Sequence, residues 1–387
     1  MAGSDVVIVG GGIIGAACAY ELSRSGASVT LLERDELAAG ASGRNIGFFG
    51  PPWDPVLDPM ARASLELYLE VTTDPPVPVH FDREPIGTLA LAIDEDDAAM
   101  VRAEAAAAGQ AGIRAEHLDA AGLKELEPEV TADVSEAWLF HEGRRVDPGA
   151  LTLALAELAR RDGASIRHHL PGRRLLSRRE SVTGVATDEG IVGCDTVVLA
   201  SGPWSTGLLR PLGIHIPVTG ARGWLIQLAP PRPLLSHWVE GSARTLWRRQ
   251  VEPVTAREFS EGVARDDIGA VIQPSPDGTI VAGTSREPAL AWSAEDLDVP
   301  RAVAGCVIRL LPALADAPVL GTWSGIRPMS PDERPFVGWL GPGLFVATGH
   351  GSEGVILGGG TANLVAAMVQ GREPPLDPTP FDPIRFG

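Results

Sequence analysis

The sequence has 387 residues, 44% of them hydrophobic, and a formal net charge of −18 at pH 7. That length supports two sizeable cores or one large discontinuous one. The acidic balance argues against nucleic acid or an anionic membrane as partner, although a local basic pocket survives on such a surface.

In chain order, residues 5–9, DVVIV, are a β-branched run that predicts a buried strand. GGGIIGAACAYELSRSG then switches to helical spacing and ends at Gly26, suited to the position just past a helix. ASVTLLE predicts a second buried strand with Glu33 at its end. After a Pro-rich entry, PMARASLELYLEV is a helix, and DPPVPVHF marks a crossing toward a second domain. DEDDAAMVRAEAAAAGQAG is a helix whose acidic start complements its dipole. Asp147 and Pro148 are placed as N-cap and first residue of the helix that follows. SVTGVATDEG and DTVVLASGPWS predict a hairpin strand and a buried strand returning to the first domain. PVTGARGWLIQLAP and GAVIQPSPDGTIVAGTS predict antiparallel strands, the second folded about an Asp-Gly turn at 277–278. The polar segment 235–268, with two tryptophans, is either a loop over a site or a solvated excursion. LFVATGHGSEGVILGGGTANLVAAMVQG closes the chain as strand, glycine turn and helix.

No apolar run reaches spanning length, so no membrane insertion is expected. The start, MAGSDVVIVGGG, has no basic stretch ahead of its apolar residues, as a secretory signal would. Cys18, Cys194 and Cys306 lie far apart without CxxC spacing, so neither a metal site nor a disulfide framework is expected, and the setting is read as cytoplasmic. Lys124 is the sole lysine.

The chemistry begins at Gly10-x-Gly12-x-x-Gly15, directly after the first strand and opening the first helix. Gly10 permits the tight turn, Gly12 lets a pyrophosphate approach the backbone, and Gly15 lets helix and strand pack closely. The helix N-terminus, with Ile13 and Ile14, offers N–H groups and a positive dipole end to that phosphate. Glu33, with Arg34 beside it, stands where a carboxylate accepts ribose hydroxyls. The motif predicts dinucleotide binding without deciding between FAD and NAD.

GGGIIGAACAYELSRSGASVTLLERDELAAGASGRNIG resembles the N-terminus of FAD-dependent D-amino-acid oxidase-type proteins, the family that includes glycine oxidase and sarcosine oxidase. GRRVDPGALTLALAELARRDGA, VVLASGPWS, WSGIRPMSPDERPFVG, LFVATGHGSEGVILGGGTANLVA and FDPIRF are similar to the same family in the same order, the likeness being weakest across 216–270. The resemblance implies an α/β fold, with a Rossmann-like FAD-binding domain and an inserted α+β substrate domain on a mixed, largely antiparallel sheet. The expected pieces are 1–50, 143–215 and 320–387 for the FAD domain and 51–142 and 216–319 for the substrate domain.

The same resemblance implies roles for particular residues. Ala41, Ser42, Arg44 and Asn45 would lie along the pyrophosphate and flavin, and Ala200 and Gly202 would line the cofactor. Gly351, Ser352, Glu353, Gly354, Val355 and Ile356 would bring backbone amides and a helix N-terminus to the pyrimidine edge of the flavin, which becomes anionic on reduction. A carboxylate at Glu353 opposes that anion unless it points away. The sarcosine-oxidase branch tethers flavin through a cysteine where this sequence has Gly325, so noncovalent FAD is expected. That branch also keeps a lysine above the flavin, whereas Lys124 lies in AAGLKELEPE, on a helix expected to be exposed.

Arg327, in GIRP, occupies the place at which amino-acid-oxidising relatives bind the substrate carboxylate, and its planar fork suits that group. An internal bridge to Asp332 or Glu333 is the other reading. His350 is expected near the flavin, either in the chemistry or hydrogen-bonded only to backbone, and Trp224 and Trp323 are candidates for the pocket. The implied activity is oxidation of the amine of a small carboxylate-bearing substrate to an imine, with oxygen or another electron acceptor as partner. Oxidation of a 2-hydroxy acid, or service as the flavin subunit of a heteromeric dehydrogenase, are the alternatives.

Overall fold

The computed structural model describes residues 4–52, 54–241, 268–288 and 297–386. Two sheets dominate it. The first has eight strands and a parallel centre: Ser4–Val9 lies between Gly190–Leu199 and Val29–Leu32, with Leu344–Thr348 and Ser165–Arg167 parallel outside them. Its central strands are apolar without alternation because helices cover the sheet, as parallel sheets require. Helices Ile13–Arg24, Pro148–Arg161 and Gly354–Val369 supply most of the core that includes Ile8, Leu22, Leu31, Leu155 and Leu364. Asp147 caps Pro148–Arg161 by accepting from Ala150 N at 2.9 Å, and Gly26, at φ +92°, follows Ile13–Arg24 as expected.

The second sheet has nine strands, antiparallel except where Trp238–Gly241 runs parallel to Thr88–Ala92. Helix Asp298–Leu310 packs on one face through Val303, Val307 and Leu310. The other face is covered at one end by helix Glu95–Gln110, through Ala98, Val101 and Ala105 on Ala90, Ala92 and Phe140. The Asp-Gly hairpin forms as expected: Ile268–Pro274 pairs with Ile280–Ser285, and Gly278 takes the positive φ of the turn.

The sequence pieces do not divide cleanly between the sheets. Helix Asp58–Val71, expected with the substrate domain, packs through Met60, Leu67 and Tyr68 into the core of the first sheet. Strand Val319–Met329, at the start of the last expected FAD-domain piece, instead pairs with Thr219–Leu228 in the second sheet. That long antiparallel pairing brings Arg327 opposite Ala221 and into the space between the sheets. Of the 235–268 segment, Trp238 is fully buried in a strand, and residues 242–267 lie outside the described residues.

Candidate active site

The turn after the first strand is built for close approach. Gly10 sits at φ +118°, and a Cβ there would collide with the Ala200 carbonyl. A Cβ on Gly12 would stand 2.9 Å from Ser42 Oγ, and one on Gly15 would overlap the Gly10 carbonyl oxygen. Ser42 Oγ accepts from Ile13 N at 2.8 Å, while the Ile14 and Gly15 amides have no carbonyl one turn earlier to bond. Glu33 holds the turn from the other side, accepting Gly11 N at 2.6 Å and Asp35 N at 2.8 Å. Two occupied oxygens still leave a carboxylate lone pairs for ribose hydroxyls. Arg34 stacks on Trp204 with its guanidinium carbon 4.7 Å from the ring centre.

The loop that follows is tied to its own backbone. Asn45 donates to the carbonyls of Ala41 and Ser42 at 2.9 Å and accepts from Gly47 N at 2.8 Å. Its amide therefore shapes the loop. Arg44 donates to Ala39 O at 2.8 Å and, across the gap, to Ser324 O of the second sheet at 3.4 Å.

From this turn a cavity of about 1700 Å³ runs between the two sheets. Of the cofactor-binding and catalytic candidates singled out from the sequence, only Gly15, packed against Gly10, lies outside its wall. No cysteine lines it, and neither do Trp224 and Trp323, whose indole N–H groups are buried in the second sheet without partners among the described residues. An elongated space with a bare glycine turn, free first-turn amides and an acid at one end fits a dinucleotide. The N-terminus of helix Gly354–Val369 enters the wall farther along, where a second anionic edge would meet it.

Arg327, half-buried, lines the cavity wall. Among the described residues its one hydrogen bond is to Ser285 O, at 3.2 Å, and no carboxylate forms an ion pair with it. The expected internal partners are engaged elsewhere. Asp332 pairs with Arg385 at 2.8 Å and Glu333 with Arg286 at 3.3 Å. Gly223 makes the space, since a Cβ there would run into the Arg327 guanidinium. Burial, then the neighbouring Arg286 charge, brings Arg327 down to about 10. Among the described residues this guanidinium has no ion pair, Glu333 acting on it only from a distance, and it stands at an open cavity.

Arg286, 4% exposed, is a second cation that sequence reasoning missed. It donates to Ser352 Oγ at 3.2 Å in addition to its Glu333 pair. Only the hairpin register could have found it: it follows Ile280–Ser285, on the strand beside the one that pairs with Arg327. Glu353 holds the N-cap position of helix Gly354–Val369 without a capping side-chain bond, and its Oε2 is buried without a hydrogen bond among the described residues. Burial, with Glu333 adding to it, raises this carboxyl to about 8, so at neutral pH it is a neutral acid.

His350 is 1% exposed, and its Nε2 lies 3.0 Å from Thr361 Oγ1. The threonine hydroxyl in turn donates to Met60 Sδ, which leaves its oxygen to accept from the imidazole. The partner is thus a side-chain hydroxyl rather than backbone. Burial depresses His350 to about 3, so it meets the cavity uncharged. Lys124 is exposed, donates to Pro128 O, and does not line the cavity.

Residues 5–368 match the family described as FAD dependent oxidoreductase, DAO. The bifunctional protein ThiO/ThiG of Nostoc sp. is 30% identical over 94% of this chain and 52% of its own length. The 4-methylaminobutanoate oxidase (formaldehyde-forming) of Paenarthrobacter nicotinovorans is 31% identical over 98% of this chain and 45% of its own. The chain thus spans about half the length of these two relatives. Glycine oxidase from Geobacillus kaustophilus, known from its crystal structure, superposes with a TM-score of 0.86 at 25% identity, covering 99% of both chains.

Proposed function

Because the chain belongs to the DAO family of FAD-dependent oxidoreductases, we propose that it oxidises the amine of an amino acid or N-alkyl amino acid to an imine. Water then hydrolyses the imine to an oxo acid and the released amine. Bound FAD supplies the two-electron acceptor. Gly10, Gly12, the first-turn amides, Ser42 and Glu33 hold its adenosine and pyrophosphate, and the segment from Gly351 to Ile356 meets the flavin.

The observation that carries the reading is Arg327, which has no ion pair among the described residues. A buried guanidinium without an anion is costly, and a carboxylate substrate relieves that cost in the same step that orients its α-C–H. Ser285 O and the Gly223 gap fix the fork's direction, and Arg286 adds positive potential. Glu353, neutral, does not oppose an anion at the flavin edge. His350 contributes as an uncharged group. The electrons leave to oxygen or another acceptor without help from Lys124. A cytoplasmic setting belongs to the proposal, in keeping with three unpaired cysteines.

The test is anaerobic mixing of the purified flavoprotein with D-, L- and N-alkyl amino acids and the matching 2-hydroxy acids. Bleaching of the flavin band by the amines alone is expected. Bleaching by the hydroxy acids alone would replace the reading with 2-hydroxy-acid oxidation. Turnover only after a second subunit is added would assign an accessory role.

A further inference from the structure

The cavity continues past Arg327 and Arg286 along the second sheet. Residues paired across neighbouring strands point to one face. Trp323 pairs with Leu225, Val271 pairs with Gly283, and Glu240 pairs with Val271. The pairing of Ile226 with Ala282 sets Leu225 level with Gly283. Arg327, four residues beyond Trp323, therefore shares a sheet face with Glu240. On the far side Glu240 pairs with Ala90, on which helix Glu95–Gln110 packs, and Glu104 hangs from that helix beside it. Both glutamates line the cavity.

These two acids are in an unusual position. Neither has a hydrogen bond or an ion pair among the described residues, and the arginine in that stretch of wall, Arg144, is already beside Glu142 at 3.7 Å. Burial raises Glu240 to about 7, and burial together with the Glu240 charge raises Glu104 to about 8. The sheet face leading from Gly283 to Glu240 carries Val271, with Leu225 on the strand beside Gly283, and Phe140, Ala108 and Ile113 also line the cavity. The Arg327 guanidinium reaches Ser285 O, on a strand two steps of about 4.8 Å, roughly 10 Å, from that of Glu240 and two residues, about 7 Å, along from its row. A flexible side chain of several methylenes bridges such a span.

We propose that the cavity holds its substrate between two poles, the carboxylate at Arg327 and Arg286 and a distal cation at Glu104 and Glu240. The preferred substrate is then a basic amino acid, carrying an ammonium or guanidinium on an apolar stem. The proposal rests on the reading of Arg327 as the carboxylate anchor. A cation lets both glutamates ionise and gives each the partner it lacks among the described residues, while a neutral side chain leaves two half-buried acids without one.

The experiment measures binding and reduction separately on the FAD-loaded protein. Arginine is compared with citrulline and lysine with norleucine, in both enantiomers, by flavin absorbance change and by anaerobic reduction rate. Binding of the cationic member of a pair at least about tenfold tighter is expected. Glu240→Gln and Glu104→Gln should each remove that preference while changing norleucine binding less than about twofold. Equal binding of cationic and neutral members by the parent protein overturns the subsite, as does a Glu240→Gln loss that is the same for both. Cation-selective binding without reduction by any amine would keep the subsite and remove the amine-oxidation reading. Reduction without cation selectivity would do the reverse.

Discussion

Replacing Arg327 with methionine, which approximates its stem without the charge, should abolish efficient turnover without destabilising the protein. The magnitude follows from the site. Burial and Arg286 bring the guanidinium from an ordinary 12.5 to about 10, and at 1.36 kcal/mol per pH unit this is roughly 3 kcal/mol of unrelieved charge. The depressed value of a basic group is a cost to the fold at every pH below about 10, where the group is charged folded and unfolded alike. A substrate carboxylate recovers a similar amount, so Arg327→Met should lower kcat/KM by about 10²-fold, within the roughly 30- to 5000-fold that 2–5 kcal/mol gives for buried charge pairs. Arg327→Lys should restore part of the loss, because an ammonium lacks the planar fork. The assay is anaerobic stopped-flow reduction, with Tm recorded for each FAD-loaded variant. A Tm equal to or above the parent's is expected, since the lost bond to Ser285 O is small beside the relieved charge. A variant that unfolds early or sheds FAD, yet reduces at the parent rate per bound flavin, would refute the reasoning and make Arg327 structural.

Glu33→Ala should weaken FAD binding by about 10–10²-fold, as charge-assisted hydrogen bonds worth roughly 1.5–3 kcal/mol are lost; unchanged affinity in apoprotein titration removes Glu33 from the cofactor site. FAD should separate from the chain on acid or heat denaturation, because none of Cys18, Cys194 and Cys306 lines the cavity; flavin that stays with the denatured chain contradicts this. Glu353→Gln should raise Tm more at pH 8 than at pH 5. Its carboxyl ionises near 4.5 in the unfolded chain and only near 8 in the fold, so the parent loses stability as pH rises through that window and the variant does not. A Tm difference that is constant with pH would show that Glu353 is ionised in the fold. His350, held near 3 by burial, should show no imidazole titration by NMR between pH 5 and 9, and an inflection near 6.5 would mean that the ring is solvated.

Local chemistry explains what the sequence disclosed. The glycine turn, the Asp147 cap and the Asp-Gly hairpin are each specified by a few adjacent residues, and each formed where expected. Arg327 was visible because an arginine between Ile326 and Pro328 is out of place in its own neighbourhood. The boundaries between sheets were less legible. Met60 and Tyr68 of the helix Asp58–Val71 are buried against the core of the first sheet, and helical periodicity records that a face is buried without saying against what. Arg286, Glu104 and Glu240 carry no local mark at all. They meet the cavity only through strand register and helix docking, contacts between segments far apart in sequence.

The doubt over Glu353 resolves through the same long-range contacts. Taken with its neighbours in sequence, it is a carboxylate at a helix N-terminus, where the dipole favours its charge and where that charge would oppose an anionic flavin edge. In the fold, Glu333 stands close enough to disfavour a second negative charge, and Arg286 is already shared between Glu333 and Ser352. Burial first, and the neighbouring Glu333 second, keep the proton on Glu353. The helix N-terminus then presents its amides without a competing anion, and the uncompensated positive charge of the corner rests on Arg327. On the proposed reading, an acidic chain reserves a half-buried cation for the anion that enters from outside.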